Sequence, residues 1–260
     1  MLPIACAGRS GKPTAKVVGS RVDVRTGDGV ADCYFAHPSS GRYPGILMWP
    51  DFMSLRPTYE LLANRLVEAG YAVLVINQYY RDERSPFLEK ADFDNKEVLT
   101  KIRTFSARLN AATSATDAKA CAEFLDAHAS VDPARKIGTF GFCMGGALAL
   151  KSAAAVPQRY GAFGSFHGGL VSESADSAHL LIPQLRARAL IAIAADDDAK
   201  DPNAKTQLRA AFSAAKLPAE IEVYEGTKHG WCTPDMEARY HPEQAQRAWG
   251  RLLTLFAQAL

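Results

Sequence analysis

The residues best equipped for chemistry lie in Gly141-Phe142-Cys143-Met144-Gly145-Gly146, where glycines stand two places before and two places after a cysteine. The preceding run, Lys136-Ile137-Gly138-Thr139-Phe140, reads as a strand, and the segment from Met144 onward reads as a helix, so the chain must turn sharply at Cys143. A nucleophile at such a turn sits at strained dihedrals, and a larger side chain at either glycine would collide with the neighbouring strand or helix. The pattern is a nucleophile elbow with cysteine where serine is usual. A sulfur at a helix start meets the positive end of the dipole, which favours thiolate over thiol. The Met144 N–H is then placed to donate to an oxyanion. The competing reading is a buried structural cysteine, since free cysteine is among the most buried residue types; the surrounding glycines argue against it. Nucleotide motifs fail. The glycines do not follow G-x-G-x-x-G, and Gly8–Thr14 is not a P-loop because Cys6 and Pro13 replace required residues.

A thiolate nucleophile needs a base. In folds with this elbow the chain order is nucleophile, acid, histidine, which points to the loop after the final core strand. His229 stands there, in Gly226-Thr227-Lys228-His229-Gly230-Trp231. Of the six histidines, His37 and His128 precede the elbow, while His179 and His241 fall in or beside helical segments. His167 ends the strand directly after the elbow and reads equally as a pocket wall or as a satisfied structural histidine. The acid should end the preceding strand, where Ala195-Asp196-Asp197-Asp198 offers three carboxylates. Only one can orient His229 through Nδ1; the others are expected to be solvated or to cap a helix starting near Pro202 and Asn203. Cys232, three residues after His229, does not make a metal site with it, because zinc wants three or four ligands and a second shell.

Positioning these groups is the task of the surrounding elements. Val17–Val24 and Ala31–Ala36 flank Thr26-Gly27-Asp28-Gly29 and read as an antiparallel hairpin at a sheet edge. Beyond it, apolar runs at 45–49, 71–76, 136–140, 162–166, 189–193 and 221–224 alternate with helical periods at 58–69, 116–129, 147–155, 203–215 and 243–257. Apolar runs without alternation are strands covered on both faces, and their interleaving with helices implies right-handed crossovers in a mostly parallel α/β sheet. Gly70 is placed to close the first helix in a left-handed conformation. Ligands of such sheets bind beyond the carboxyl ends of the strands. The chain reads as one domain, residues 1–260. Residues 81–110, rich in charge and carrying Phe87, Phe93 and Phe105, interrupt the alternation as a lid or as a solvated helical excursion.

Thirty basic and 28 acidic residues give a net charge of +2 without a basic stripe, so nucleic acid is not an expected partner. Five cysteines at irregular spacing form neither CxxC pairs nor a disulfide framework, which fits a reducing cytoplasm. Leu2-Pro3-Ile4-Ala5-Cys6 resembles a lipoprotein cleavage site only superficially, lacking a basic leader. No window reaches the ~20 apolar residues that span a bilayer, so no membrane association is expected. A small molecule is the expected partner, with the protein a monomer or homodimer.

Together these residues resemble the dienelactone hydrolase (carboxymethylenebutenolidase) family of α/β-hydrolases. Gly-Phe-Cys-Met-Gly-Gly is similar to its Gly-Tyr-Cys-x-Gly-Gly elbow; Trp49-Pro50-Asp51-Phe52, followed by a helix and Gly70-Tyr71, is similar to its first core strand, helix and second strand. His229-Gly230-Trp231 is similar to its histidine followed by a small and an aromatic residue. The resemblance covers nearly the whole chain and implies an α/β-hydrolase fold with a Cys143, His229 and Asp197 triad. Asp198 is an alternative acid by its spacing to Pro202. The same resemblance implies an oxyanion hole from the Met144 and Phe52 N–H groups. Asp51, Trp231 and His167 are candidates for modulating the nucleophile or walling the pocket. The reaction implied is hydrolysis of a lactone or activated ester through a thioester, without a cofactor. A thioesterase, small-ester hydrolase or acyltransferase with the same triad is an alternative, as is a non-catalytic redox-sensing or ligand-binding protein. Two departures stand out. Asp51 replaces the family's glutamate, which holds the resting cysteine, and no arginine follows the histidine closely. Arg81, Arg84 and Arg103 are candidates for binding a substrate carboxylate instead.

Overall fold

A computed structural model describes residues 16–260. The cleavage-site resemblance at Leu2–Cys6 and the Gly8–Thr14 stretch lie largely or wholly outside them. Strands β1 (Val17–Thr26) and β2 (Gly29–Pro38) form the expected hairpin, closed where Thr26 pairs with Gly29. The Thr26 hydroxyl accepts from the Asp28 N–H at 3.1 Å, fixing the turn. Then follow β3 (Gly45–Trp49), α1 (Pro57–Glu68), β4 (Ala72–Ile76), α2 (Lys96–Ser106), α3 (Ala111–Ala127), β5 (Ile137–Phe142), α4 (Met144–Ala155) and β6 (Tyr160–Phe166). A 3-10 helix (Ala178–Gln184) leads to β7 (Arg188–Ala194), α5 (Ala195–Lys200), α6 (Ala204–Ala214), β8 (Ala219–Tyr224) and α7 (Pro242–Ala259).

The eight strands lie in the order β1-β2-β4-β3-β5-β6-β7-β8, antiparallel over β1, β2 and β4 and parallel from there on. This is the α/β-hydrolase arrangement. Strands β3, β4 and β5 are buried along their whole length because both sheet faces are covered, which explains their unbroken apolar runs. Helices α1 and α7 pack on one face, burying Tyr59, Leu66, Trp249 and Phe256. Helices α3, α4 and α6 pack on the other with Leu125, Leu150 and Phe212. Gly70 follows α1 at φ +93°, donating to Val67 O, as the sequence predicts.

Three features bear on the site. Helix α4 starts at Met144, as the elbow reading expects, so it abuts Cys143 directly. The aspartate run at 196–198 is the first turn of α5 and not an extended end of β7. The excursion at 81–110 contains α2, begun by the Asn95 side chain accepting from the Val98 N–H. It buries Ile102 against Met53 and Tyr79, with Phe87, Leu99 and Phe105 packed around them. The excursion is therefore packed against the loop after β3. Phe93 stays exposed at its outer edge.

Candidate active site

Cys143 lies between β5 and α4 at φ +54°, a conformation costly to a side-chain-bearing residue. Its N–H is held by Phe166 O at 3.0 Å. The flanking glycines are steric necessities: a Cβ on Gly141 would come within 2.2 Å of Gly145 O, and one on Gly145 within 2.3 Å of Pro50 O. Met144, the first residue of α4, has no carbonyl four residues back inside the helix, so its N–H remains free to donate. The thiol is partly exposed, whereas Cys33, Cys121 and Cys232 are buried.

The loops after β7 and β8 are stitched together before they present side chains. Thr227 Oγ accepts from Ala195 N at 3.1 Å and donates to Tyr224 O at 2.6 Å. Asp196 Oδ1 accepts from the backbone N–H of His229 at 2.8 Å. Asp197 Oδ2 then lies 2.7 Å from His229 Nδ1. A carboxylate can only accept, so Nδ1 carries the hydrogen and Nε2 is left for other chemistry. Burial opposes a charged imidazole, but Asp197 and the adjacent Cys143 thiol outweigh it and raise the His229 pKa to about 10. Burial likewise pushes the Asp197 carboxyl up, yet His229 and Lys200 hold it below its usual range. Of the three aspartates, then, Asp197 meets the ring, Asp196 anchors the backbone and Asp198 pairs with Lys205 at 2.5 Å. The expected cap on the following helix is not formed: Asn203 begins α6 without a side-chain cap.

On the opposite side of Cys143, the loop after β3 has its polar groups tied down. Asp51 N–H donates to the Tyr59 hydroxyl at 2.9 Å. Asp51 C=O accepts from Gln78 Nε2 at 2.7 Å and from Ser54 N–H at 3.0 Å. Phe52 C=O accepts from the Tyr79 hydroxyl at 3.0 Å. The Asp51 carboxylate accepts from Met53 N–H at 2.8 Å and from both terminal nitrogens of Arg56 at 2.7 and 3.0 Å. Arg56, fully buried, also donates to Asp235 at 2.6 and 3.0 Å, and Asp235 accepts from Ala91 N–H at 3.0 Å. Burial alone would disfavour the guanidinium charge; Asp51 and Asp235 more than compensate and raise its pKa. One guanidinium thus joins the loop after β3, the segment beyond His229 and, through Asp235, the excursion at 81–110. Amid these contacts the Phe52 N–H has no acceptor among the described residues.

His167 sits at φ +43° at the end of β6, buried, with its ring edge toward His229 and centroids 4.8 Å apart. Neither ring nitrogen has a hydrogen-bond partner among the described residues. Burial, helped by repulsion from His229, lowers its pKa to about 3, so the ring is neutral. It borders a cavity of about 180 Å³ walled by Leu170, Val171, Ile193 and Leu208 beside His229. Gly169 also lines it, and a Cβ added there would meet no atom of the described residues within 4 Å.

Several sequence expectations are corrected. Trp231 is not a pocket wall: it is fully buried and stacks on Tyr224 at 4.7 Å, holding the His229 loop onto β8. The Asp51 carboxylate is engaged by Arg56 and Met53, which leaves it committed elsewhere than to a resting thiol. Arg81 is held by Asp117 at 2.7 Å and Asp28 at 2.6 Å, and Arg84 by Asp23 at 2.6 Å, so their charges are spent at the hairpin and α3. Arg103 lies exposed on α2. A different arginine reaches the site: Arg239 puts Nη1 3.4 Å from His229 O and its guanidinium 4.9 Å over the Phe93 ring. The sequence reading also missed Arg56, Gln78, Tyr79 and Asp235, whose roles arise from contacts between distant segments.

Among the described residues, no group of His, Cys, Asp and Glu is arranged to hold a metal, and no helix is long and apolar enough to cross a membrane. The model of the dienelactone hydrolase family matches residues 31–260. A carboxymethylenebutenolidase of Rhodococcus opacus is 27% identical over 237 residues, covering 87% of this chain and 86% of the relative. A Yersinia pestis protein provisionally named carboxymethylenebutenolidase is 26% identical over 235 residues, covering 86% and 82%. A crystal structure from Klebsiella pneumoniae, provisionally named a dienelactone hydrolase, superposes with a TM-score of 0.81 at 26% identity, covering 94% of this chain and 99% of that one.

Proposed function

Because the chain belongs to the dienelactone hydrolase family and is a hydrolase of that kind, we propose that it cleaves a lactone or activated carboxylic ester through Cys143. The observation that carries this reading is the line from Asp197 through His229 to the thiol at the elbow. The raised His229 pKa supports an imidazole that carries a proton at rest. The thiolate sulfur attacks the substrate carbonyl carbon and the C=O π electrons move onto oxygen. That oxyanion is held by the Met144 and Phe52 N–H groups. Collapse breaks the carbonyl carbon–oxygen bond, His229 Nε2 protonates the departing enolate or alkoxide, and a thioester remains. Neutral His229 then takes a proton from water as the water oxygen attacks the thioester. Cys143 leaves as thiolate, restoring the pair.

An enol lactone suits this chemistry because conjugation stabilises its leaving group, and no cofactor takes part. A carboxylate on the substrate would meet Arg239, which has no carboxylate partner among the described residues. The test is steady-state hydrolysis of enol lactones and aryl esters, with and without a free carboxylate, by the native protein and Cys143→Ala. Turnover at least about 10³-fold above the variant is expected, with a thioester adduct on Cys143 trapped by acid quench and mass spectrometry. Equal rates in both proteins would overturn the reading.

A further inference from the structure

The two donors assigned to the oxyanion differ in how they are aimed. The direction of the Met144 N–H is fixed by α4 itself. The Phe52 N–H lies in an irregular loop, and its direction is set by the Asp51–Phe52 peptide plane. That plane is trans and rigid, so its C=O and N–H point in opposite directions. Whatever holds the Asp51 oxygen therefore aims the Phe52 hydrogen. The oxygen has two donors, Ser54 N–H at 3.0 Å within the same loop and Gln78 Nε2 at 2.7 Å from outside it. Gln78 is fully buried just beyond β4, the strand beside β3, and its Oε1 faces Ser54 Oγ at 3.5 Å. It is the only side chain bonded to that carbonyl among the described residues.

We infer that Gln78 is a positioning residue of the oxyanion hole, aiming and polarising the Phe52 N–H through the Asp51 carbonyl. The inference rests on the thiol-hydrolase reading given above. A hydrogen bond at the carbonyl draws electron density from the peptide nitrogen, so the N–H opposite becomes the stronger donor. Gln78 touches neither the thiol nor His229; its effect appears only when negative charge develops on the carbonyl oxygen. This separates it from residues that shape the elbow, whose loss would alter thiol reactivity in every reaction.

Gln78→Met keeps chain length and burial while deleting the donor. It is to be compared with the native protein in two reactions: aryl-ester hydrolysis, which passes through an oxyanion, and alkylation of Cys143 by iodoacetamide, which does not. We expect kcat to fall about tenfold at unchanged KM, less than the 10²–10³ typical of removing a donor outright. The alkylation rate should stay within about twofold of native, since no oxyanion forms in that step. Gln78→Asn, whose amide falls short of the Asp51 oxygen, should give the same split and serves if the methionine variant folds poorly. Unchanged hydrolysis, or hydrolysis and alkylation falling together, overturns the inference. Failure of the underlying reading is seen separately, as undiminished turnover in Cys143→Ala.

Discussion

The two flanks of Cys143 are built on opposite principles. On the flank of the loop after β3, Asp51, Arg56, Gln78 and Tyr79 are partnered, and the buried charges Asp51 and Arg56 are fixed by each other. On the flank of β6 to β8, groups that can gain or lose protons face one another: Asp197, His229 and the unpartnered His167. Saturated hydrogen bonding holds geometry, and burying Arg56 between two carboxylates leaves it no protonation freedom. The other flank keeps its imidazoles at very different affinities for a proton, His229 raised to about 10 and His167 lowered to about 3. On the proposed function, the contrast divides a frame that would present dipoles from a relay that would move protons.

The sharpest way to break that comparison is to disable the relay and leave the frame intact. Asp197→Asn should lower kcat by on the order of 10³–10⁴, because an amide cannot stabilise the imidazolium and favours the wrong tautomer. The thermal midpoint should move little, since Asp197 is partly exposed. A large loss of stability with modest loss of turnover would invert the assignment of the two flanks.

Disabling the frame should do the reverse in stability. Arg56→Met strands the Asp51 and Asp235 carboxylates and should cost ~3–5 kcal/mol in denaturant unfolding, as breaking buried pairs does. Adding Asp51→Asn and Asp235→Asn should recover part of that loss. A single variant as stable as the native protein would mean that the buried pairs contribute nothing net.

The remaining effect is absent at neutral pH and is read as a slope. The unfolded chain binds a proton at His167 near pH 6.5, whereas the native ring refuses it until about pH 3. Stability should therefore fall as pH drops through that window, by at most ~1.4 kcal/mol per pH unit. His167→Asn, which tolerates the positive φ, should remove this slope whatever its offset at neutral pH. His229 tilts the other way: its raised pKa adds stability that is complete below its unfolded value and lost as pH rises through about 10. An unaltered acid slope in His167→Asn would place the acid sensitivity elsewhere.

How far these flanks could be read in the sequence follows from the range of their contacts. The sheet was legible because doubly covered strands must be apolar throughout, and the elbow because only glycine fits beside Cys143. The place of His229 after the last strand followed from chain order. Choosing among Asp196, Asp197 and Asp198 needed the phase of a helix of one and a half turns, which a run of identical residues does not encode. The His229-Gly230-Trp231 resemblance offers Trp231 as a pocket residue, yet Gly230 between the two takes φ +96°, and Trp231 goes to the core. Arg56 and Asp235 are 179 positions apart, and Gln78 reaches back 27 to Asp51. No local pattern marks such pairs, and a buried arginine reads in sequence as a surface one.

Gly169 gives the molecule room to change. A side chain introduced there, in the wall of the cavity beside His229, would begin in space left empty by the described residues, on a backbone free of left-handed constraint. Neither flank would have to move to receive it. The lining of that cavity can thus be redrawn one substitution at a time, which makes this position a natural starting point for changing what the cavity admits.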